Sequence, residues 1–302
     1  MSEPSRHSRR TFLRTVGVAA AGNILSPRIG FGSPQEKLRA AFAPMIGVCT
    51  SVANADVLRQ SGADYIEAGV RRFLLPDKPE DAFAANLKAA QECGLPVLAA
   101  NGFLPGSLKS TGPAANHEGV LNFAEIAFTR ARRAGIKTIV FGSSGSRSIP
   151  EGFDHGEAEQ QFIALLKKMG PLAGKHEVRV ALEPLQRRET NFINTIPQGA
   201  RIVRAVDHPS IRLVADIFHM LRMDEPPEHI RGAGDLIVHV HIAEKAKRTP
   251  PGVAGDDFTA YFQALKDIGY KGLISIECGW KDLSRQLPVA LKTMRGQMAK
   301  VG

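Results

Sequence analysis

From residue 36 onward the chain alternates short apolar runs with longer stretches in which apolar residues return at helical intervals, the signature of repeated βα units. Eight short runs read as strands: residues 43–49, 64–70, 95–101, 138–144, 178–184, 211–217, 236–242 and 272–278. The helical stretches include 54–61 and a long helix over 118–135 with Leu121, Ile126 and Phe128 on one side and Gly135 as its stop. A further helix follows Asp257, carries Phe258, Phe262 and Leu265, and is closed by Gly269, and a last amphipathic helix covers 283–299. Two Gly- and Pro-rich connections, 102–116 and 244–257, are longer than simple links and are expected over one rim. The alternation predicts an α/β fold, a (β/α)8 TIM barrel over residues 36–302, with its chemistry at the C-terminal ends of the strands.

Four polar residues sit where a charge is costly, each closing an apolar run: Glu183 in VALEPL, Asp216 in LVADIFH, His241 in IVHVHIAE and Glu277 in LISIECGW. Consecutive members are separated by about one strand, one helix and their loops, so neighbouring barrel strands would present them to the same rim. Two carboxylates about 4 Å apart repel by roughly 4 kcal/mol at an effective dielectric of 20, and a divalent cation turns that repulsion into attraction. The residues therefore read as a metal site. Three carboxylates and one imidazole form a hard, oxygen-rich set suited to one Mn2+, Mg2+ or Co2+ ion rather than a thiolate-type zinc. A structural ion pair is the rival for Glu183 and Glu277, but no Arg or Lys stands at the matching strand ends. His239, two residues before His241, reads as a packed core histidine one layer deeper.

Composition changes this picture little. A chain of 302 residues, 43% hydrophobic and 23% charged, can bury one large core. Its formal charge of +9 is concentrated early: Arg6, Arg9, Arg10, Arg14 and Arg28 against Glu3 account for +4 of it within the first 30 residues. No Lys/Arg block interleaved with aromatics follows, so no nucleic-acid surface is indicated. Residues 1–35 read as an export signal and linker. The run SRRTFLR, with Ser8, Arg9, Arg10, Phe12 and Leu13, precedes a mildly apolar TVGVAAAGNIL too short for a permanent anchor, and resembles a twin-arginine signal. It implies passage through the twin-arginine export machinery in the folded state and a periplasmic or outer-side membrane-tethered location; an ordinary basic terminus is the alternative. Cys49, Cys93 and Cys278 lack CxxC spacing and read as thiols, with a Cys49–Cys278 bridge across adjoining first and last strands left open.

The stretches GSSGSRSIPEGF, LEPLQRRETNFINT, ADIFHM, HVHIAE and SIECGW, in this order and at these intervals, resemble the sugar isomerase and epimerase family with the xylose isomerase-like barrel. The likeness is greatest to its ketose 3-epimerase and hydroxypyruvate isomerase branch. The resemblance implies that Glu183, Asp216, His241 and Glu277 hold the metal. Glu183 and Glu277 would also exchange a proton with a sugar carbon beside a carbonyl, through an enediolate. It further implies that Glu189, His219 and Arg248 bind the substrate, a small sugar. Arg248 stands one residue off the family spacing, so Lys247 competes with it.

Glu67, Asn101 and Phe103 are expected as pocket walls. Arg147 is either an anion ligand or part of a tight turn, and Trp280 either a stacking platform or a wedge. The expected activity is isomerisation or epimerisation of a keto sugar or related polyol. A lyase of the 3-keto-glycoside or inosose-dehydratase type could use the same base. A noncatalytic sugar-binding barrel would require a lost ligand, and a multimetal endonuclease would require further histidines. Homo-oligomer formation stays open.

Overall fold

The computed structural model describes residues 42–302. The export motif and the boundary at residue 35 lie outside the described residues. Eight parallel strands close into a barrel in sequence order: β1 Met45–Cys49, β2 Tyr65–Gly69, β3 Val97–Asn101, β4 Thr138–Phe141, β5 Arg179–Leu182, β6 Ile211–Asp216, β7 Ile237–Ile242 and β8 Leu273–Ile276. Closure comes from β1 pairing with β8, Met45 opposite Leu273 through Val48 opposite Ile276. All eight lie inside the runs read from the sequence. Each run is trimmed by up to three residues at an end, where the chain leaves the ladder.

The helices are α1 Ala55–Ser61, α2 Glu80–Glu92, α3 His117–Ala134, the single turn α4 Ser144–Arg147, α5 His155–Lys175, α6 Ile196–Val206, the short α7 Ile217–Arg222 and α8 Glu228–Ala233, α9 Thr259–Asp267 and α10 Leu283–Ala299. Local chemistry sets their ends. Asn116 accepts from Gly119 N at 2.8 Å to start α3, and Gly135, at φ 79°, stops it. Asp154 accepts from Glu157 N at 2.8 Å at the head of α5, and Asp257 accepts from Thr259 N at 2.9 Å where α9 begins. No helix among the described residues is long and apolar enough to cross a membrane.

The face of α3 differs from expectation. Val120, Phe123, Ala124, Ala127, Phe128 and Ala131 are buried, whereas Ile126 is 40% exposed. Five residues at about 100° each leave Ile126 about 140° from Leu121, off the apolar stripe. Phe103 is also a core residue, not a pocket wall. It is fully buried and packs on Phe128 and Phe141 at centroid distances of 5.7 and 5.4 Å.

Two apolar regions result. The larger lies between the strands and the surrounding helices, and a smaller one, Val140, Ala181 and Val214, is formed by β4, β5 and β6. Tyr65, fully buried, lays its ring over Gly47 of the neighbouring strand and exchanges a 2.6 Å hydrogen bond with Ser275. A Cβ on Gly47 would stand 2.4 Å from that ring. Gly47→Ala is therefore expected to lower stability by about 1–3 kcal/mol through overpacking, read as a shift in the denaturant midpoint; an unchanged midpoint would show that the ring moves freely.

Candidate metal centre and active site

Four chain segments meet at the C-terminal rim. Asp216 is the last residue of β6, His241 the penultimate residue of β7, and Glu183 and Glu277 directly follow β5 and β8. Their ligand-capable atoms lie within 4.8 Å of one another. His241 Nδ1 is the focus: Glu183 Oε1 is 2.8 Å away, Glu277 Oε2 2.9 Å and Asp216 Oδ2 4.0 Å. One ring nitrogen can donate one hydrogen, so it cannot satisfy all three. Asp216 Oδ2 is buried without a hydrogen-bond partner. Burial opposes the charge of Glu183, the His241 imidazole partly offsets this, and the carboxylates of Glu277 and Asp216 push its carboxyl up again. An orphaned buried oxygen and three carboxylates crowded on one imidazole fit a divalent cation, and the three-oxygen, one-nitrogen donor set suits Mn2+, Mg2+ or Co2+.

Beneath this cluster lies Glu67, which sequence reading placed at the rim. It stands in the middle of β2, fully buried, one layer deeper, because the strand runs on to Gly69 and alternation turns Glu67 into the barrel. Its Oε1 accepts from His241 Nε2 at 2.9 Å, and its Oε2 from His239 Nε2 at 2.7 Å and Ser275 Oγ at 2.5 Å. Burial opposes the Glu67 charge, but the imidazoles of His241 and His239 outweigh it and hold the carboxyl well below its usual range. The bond to Nε2 leaves His241 Nδ1 turned to the carboxylates, the arrangement by which a carboxylate fixes a metal-binding histidine. His239 is the packed, hydrogen-bonded core histidine expected.

The candidate substrate residues converge on the same rim. His219 is buried on α7, and its Nδ1 accepts from Gln186 N at 3.3 Å, which assigns the ring hydrogen to Nε2. That Nε2 lies 3.4 Å from Asp216 Oδ2 and 4.0 Å from Glu189 Oε2. Glu189 is held by Gln186 Nε2 at 2.8 Å. Arg248 reaches the cluster, whereas Lys247 is exposed. Arg248 Nη2 donates to Glu277 Oε2 at 2.6 Å and Nε to Glu277 O at 3.0 Å, while the guanidinium lies 4.6 Å over the Phe218 ring. Glu277 thus has an ion-pair partner after all, supplied by a loop rather than a strand end. Burial resists its charge, but His241 and then Arg248 hold its carboxyl well below the usual carboxylate range.

The loop delivering Arg248 is organised by Glu244, the carboxylate that closes the HIAE run. Glu244 is fully buried and its carboxylate accepts from Thr249 Oγ1 at 2.9 Å, Gly252 N at 2.8 Å, Gly255 N at 2.9 Å and also Ala254 N. These bonds hold Lys247 and Arg248 at φ 59° and 52°, a left-handed pair that costs about 1 kcal/mol or more per residue.

Other expectations resolve as follows. Arg147 is fully buried under the site, its Nη2 donating to Glu183 O at 2.6 Å, and its turn is pinned by Ser110 and Thr111 of the 102–116 loop. It is a prop for the Glu183 main chain rather than an exposed anion ligand. Asn101 donates to Glu277 Oε1 at 3.0 Å. Trp280 packs partly buried against the core. Cys49, Cys93 and Cys278 are free thiols, so the adjoining β1 and β8 carry no bridge.

Residues 55–296 match the sequence profile of the Xylose isomerase-like TIM barrel. The chain belongs to that family. By sequence it is 27% identical over 239 residues to a human candidate hydroxypyruvate isomerase, covering 73% of this chain and 82% of that protein. It is 31% identical to the L-ribulose 3-epimerase of a Methylomonas species, over 40% of this chain and 42% of that protein. The relatives at 31% to 35% identity are matched over only 40% to 50% of their own length. Among solved structures, D-psicose 3-epimerase from Clostridium cellulolyticum superimposes with a TM-score of 0.73 at 21% identity, covering 84% of this chain and 99% of that one. At that identity the likeness speaks for the fold.

Gly142, directly after β4, keeps the space that the Glu183 carboxylate fills: a Cβ there would stand 2.2 Å from Glu183 Oε2. Gly142→Ala is expected to leave folding intact, since the obstructed group is a side-chain end, and to weaken Mn2+ binding by about tenfold or more. Calorimetric titration of the full chain checks this, and an unaltered affinity would detach Glu183 from the cation.

Proposed function

We propose that the protein is a divalent-metal-dependent isomerase or epimerase of a keto sugar or related polyol. The observation that carries this reading is the approach of two carboxylates, Glu183 and Glu277, to within 3 Å of one ring nitrogen of His241, beside a buried Asp216 oxygen that makes no hydrogen bond and has only longer contacts, to His219 Nε2 at 3.4 Å and Arg248 Nη2 at 3.5 Å. The relatives named as isomerases and epimerases support it. A cation held by Glu183, Asp216, His241 and Glu277 would polarise a keto oxygen and stabilise the charge that develops when the adjacent carbon loses its proton.

The chain's own groups account for the proton transfer. Glu183 and Glu277 reach one small volume from β5 and β8, strands that are not neighbours, so a sugar carbon between them meets a carboxylate from each. One removes the proton and the other returns one, which inverts the centre; return to the adjoining carbon interconverts aldose and ketose. Arg248 and Asn101 each bind one oxygen of Glu277, which fixes its reach. The Nε2 hydrogen of His219, the Arg248 guanidinium and Glu189 then offer donors and an acceptor to the substrate oxygens near the carbonyl.

Glu183→Gln and Glu277→Gln are each expected to lower turnover at least about 100-fold. The assay incubates Mn2+-supplied protein with free ketoses in D2O and reads product and deuterium at the inverted carbon. Full activity in either variant would reject the proton-transfer role. Release of water or an aglycone instead of isomers would assign the elimination chemistry of a lyase.

We also propose export by the twin-arginine route, on the strength of the SRRTFLR run. Replacing Arg9 and Arg10 by Lys is expected to retain the protein in the cytoplasm, as read by cell fractionation. Unchanged export of that variant would exclude the route.

A further inference from the structure

A cavity of about 870 Å3 opens beside Glu277 at the ends of β1, β2 and β3. Glu277 and its hydrogen-bond partner Asn101 belong both to its lining and to the metal cluster's surroundings, so the space is continuous with the reacting centre. It lies in the upper part of the about 300–1,000 Å3 range of ligand pockets. A substrate whose keto end sits at Glu183 and Glu277 therefore has room to extend away from them.

Apart from Glu277, which Arg248 already pairs, the charged groups of this lining are Arg71 and Arg72. Neither has a carboxylate partner among the described residues. Both stand on a π-helical turn, Val70–Leu74, that follows β2. Turns of this type are rare and concentrate at functional sites. This one is held from behind. The buried Arg130 donates through Nη1 to Leu74 O at 2.9 Å and to Leu75 O, and through Nη2 to Lys78 O at 3.0 Å. Asn86 Nδ2 donates to Arg72 O and Phe73 O, both at 3.0 Å. Arg71 is further fixed by its Nε, which donates to Gly102 O at 3.3 Å, while its two terminal nitrogens stay available. Four of the five contacts behind the turn are buried or half-buried, and they hold the main chain from which the exposed Arg71 and Arg72 side chains extend.

We propose that this cavity is a subsite for an anionic group, a carboxylate or a phosphate, borne by the keto sugar on the side remote from its carbonyl. Two guanidinium groups offer forked donors that match either planar or tetrahedral oxyanions. The inference rests on the reading of the site as one for keto sugars and adds the class of substituent.

Titration calorimetry on the Mn2+-supplied full chain at low ionic strength tests it with D-fructose, D-fructuronate and D-fructose 6-phosphate, which differ only at the far end. At least one anionic ligand is expected to bind tenfold or more tightly than fructose, with a preference that shrinks as salt is added. In the Arg71→Gln/Arg72→Gln variant that preference is expected to fall below about twofold while fructose affinity and the unfolding midpoint stay unchanged. The favoured anion identifies carboxylate or phosphate. No gain for either anion, including no measurable binding of any of the three, overturns the proposal, as does a preference that survives the double substitution. Calorimetry requires no turnover, so the two readings fail separately. Anion preference without ketose conversion removes the proposed reaction and leaves the subsite, and conversion of neutral ketoses without anion preference does the reverse.

Discussion

The crowding of three carboxylates around one imidazole nitrogen is the constraint on which the rim of this barrel depends. Glu183, Asp216 and Glu277 are brought together in a place from which water is largely excluded, and their mutual repulsion must be offset for the fold to close there. Two groups of the chain offset it, and a third partner fits beside them. Arg248 brings a positive charge from the β7–α9 connection, His241 turns its Nδ1 to the carboxylates, and a divalent cation bound there would take the place of any hydrogen on that nitrogen. Each has its own support in the surrounding structure: Glu244 holds the loop that carries Arg248, Glu67 orients His241, and Gly142 leaves room for Glu183.

The arrangement has layers. Nearest the base, Tyr65 fills the barrel over Gly47 and passes a hydrogen bond to Ser275. Ser275 and His239 bind Glu67, Glu67 binds His241, and His241 faces the carboxylates. A continuous chain of buried hydrogen bonds therefore runs from the packed interior to the chemistry. Satisfied networks of this kind are rigid, and a rigid imidazole lets three carboxylates from three other strands find a common point.

Much of this was legible in the sequence. The eight strands and the four cluster residues stood out because an α/β barrel repeats a simple pattern and because a charge closing an apolar run has few cheap explanations. What escaped was set by neighbours remote in sequence. Glu67 looked like a rim residue because its run of apolar residues does not reveal where the ladder ends, and a shift of two residues moves a side chain one layer down. Phe103 looked like a wall because a loop residue after β3 gives no hint that an aromatic cluster from α3 and β4 closes over it. Which of Lys247 and Arg248 reaches the cluster could not be read from spacing, since it depends on a left-handed pair of residues in a loop that Glu244 organises.

The sequence by itself determined the class of fold and the identity of the candidate ligands, because periodicity and the cost of burying charge are local properties that each residue carries with it. Tertiary structure alone decided which residues support that set and which merely lie near it. Arg147 became a prop under Glu183, Arg248 an ion-pair partner, Glu67 an anchor for the imidazole, and Arg71 and Arg72 the charged lining of a cavity. The physical reason is closure: only when β1 pairs with β8 do side chains from opposite ends of the chain share one volume, and hydrogen-bond partners and charge compensation are properties of that volume rather than of any segment.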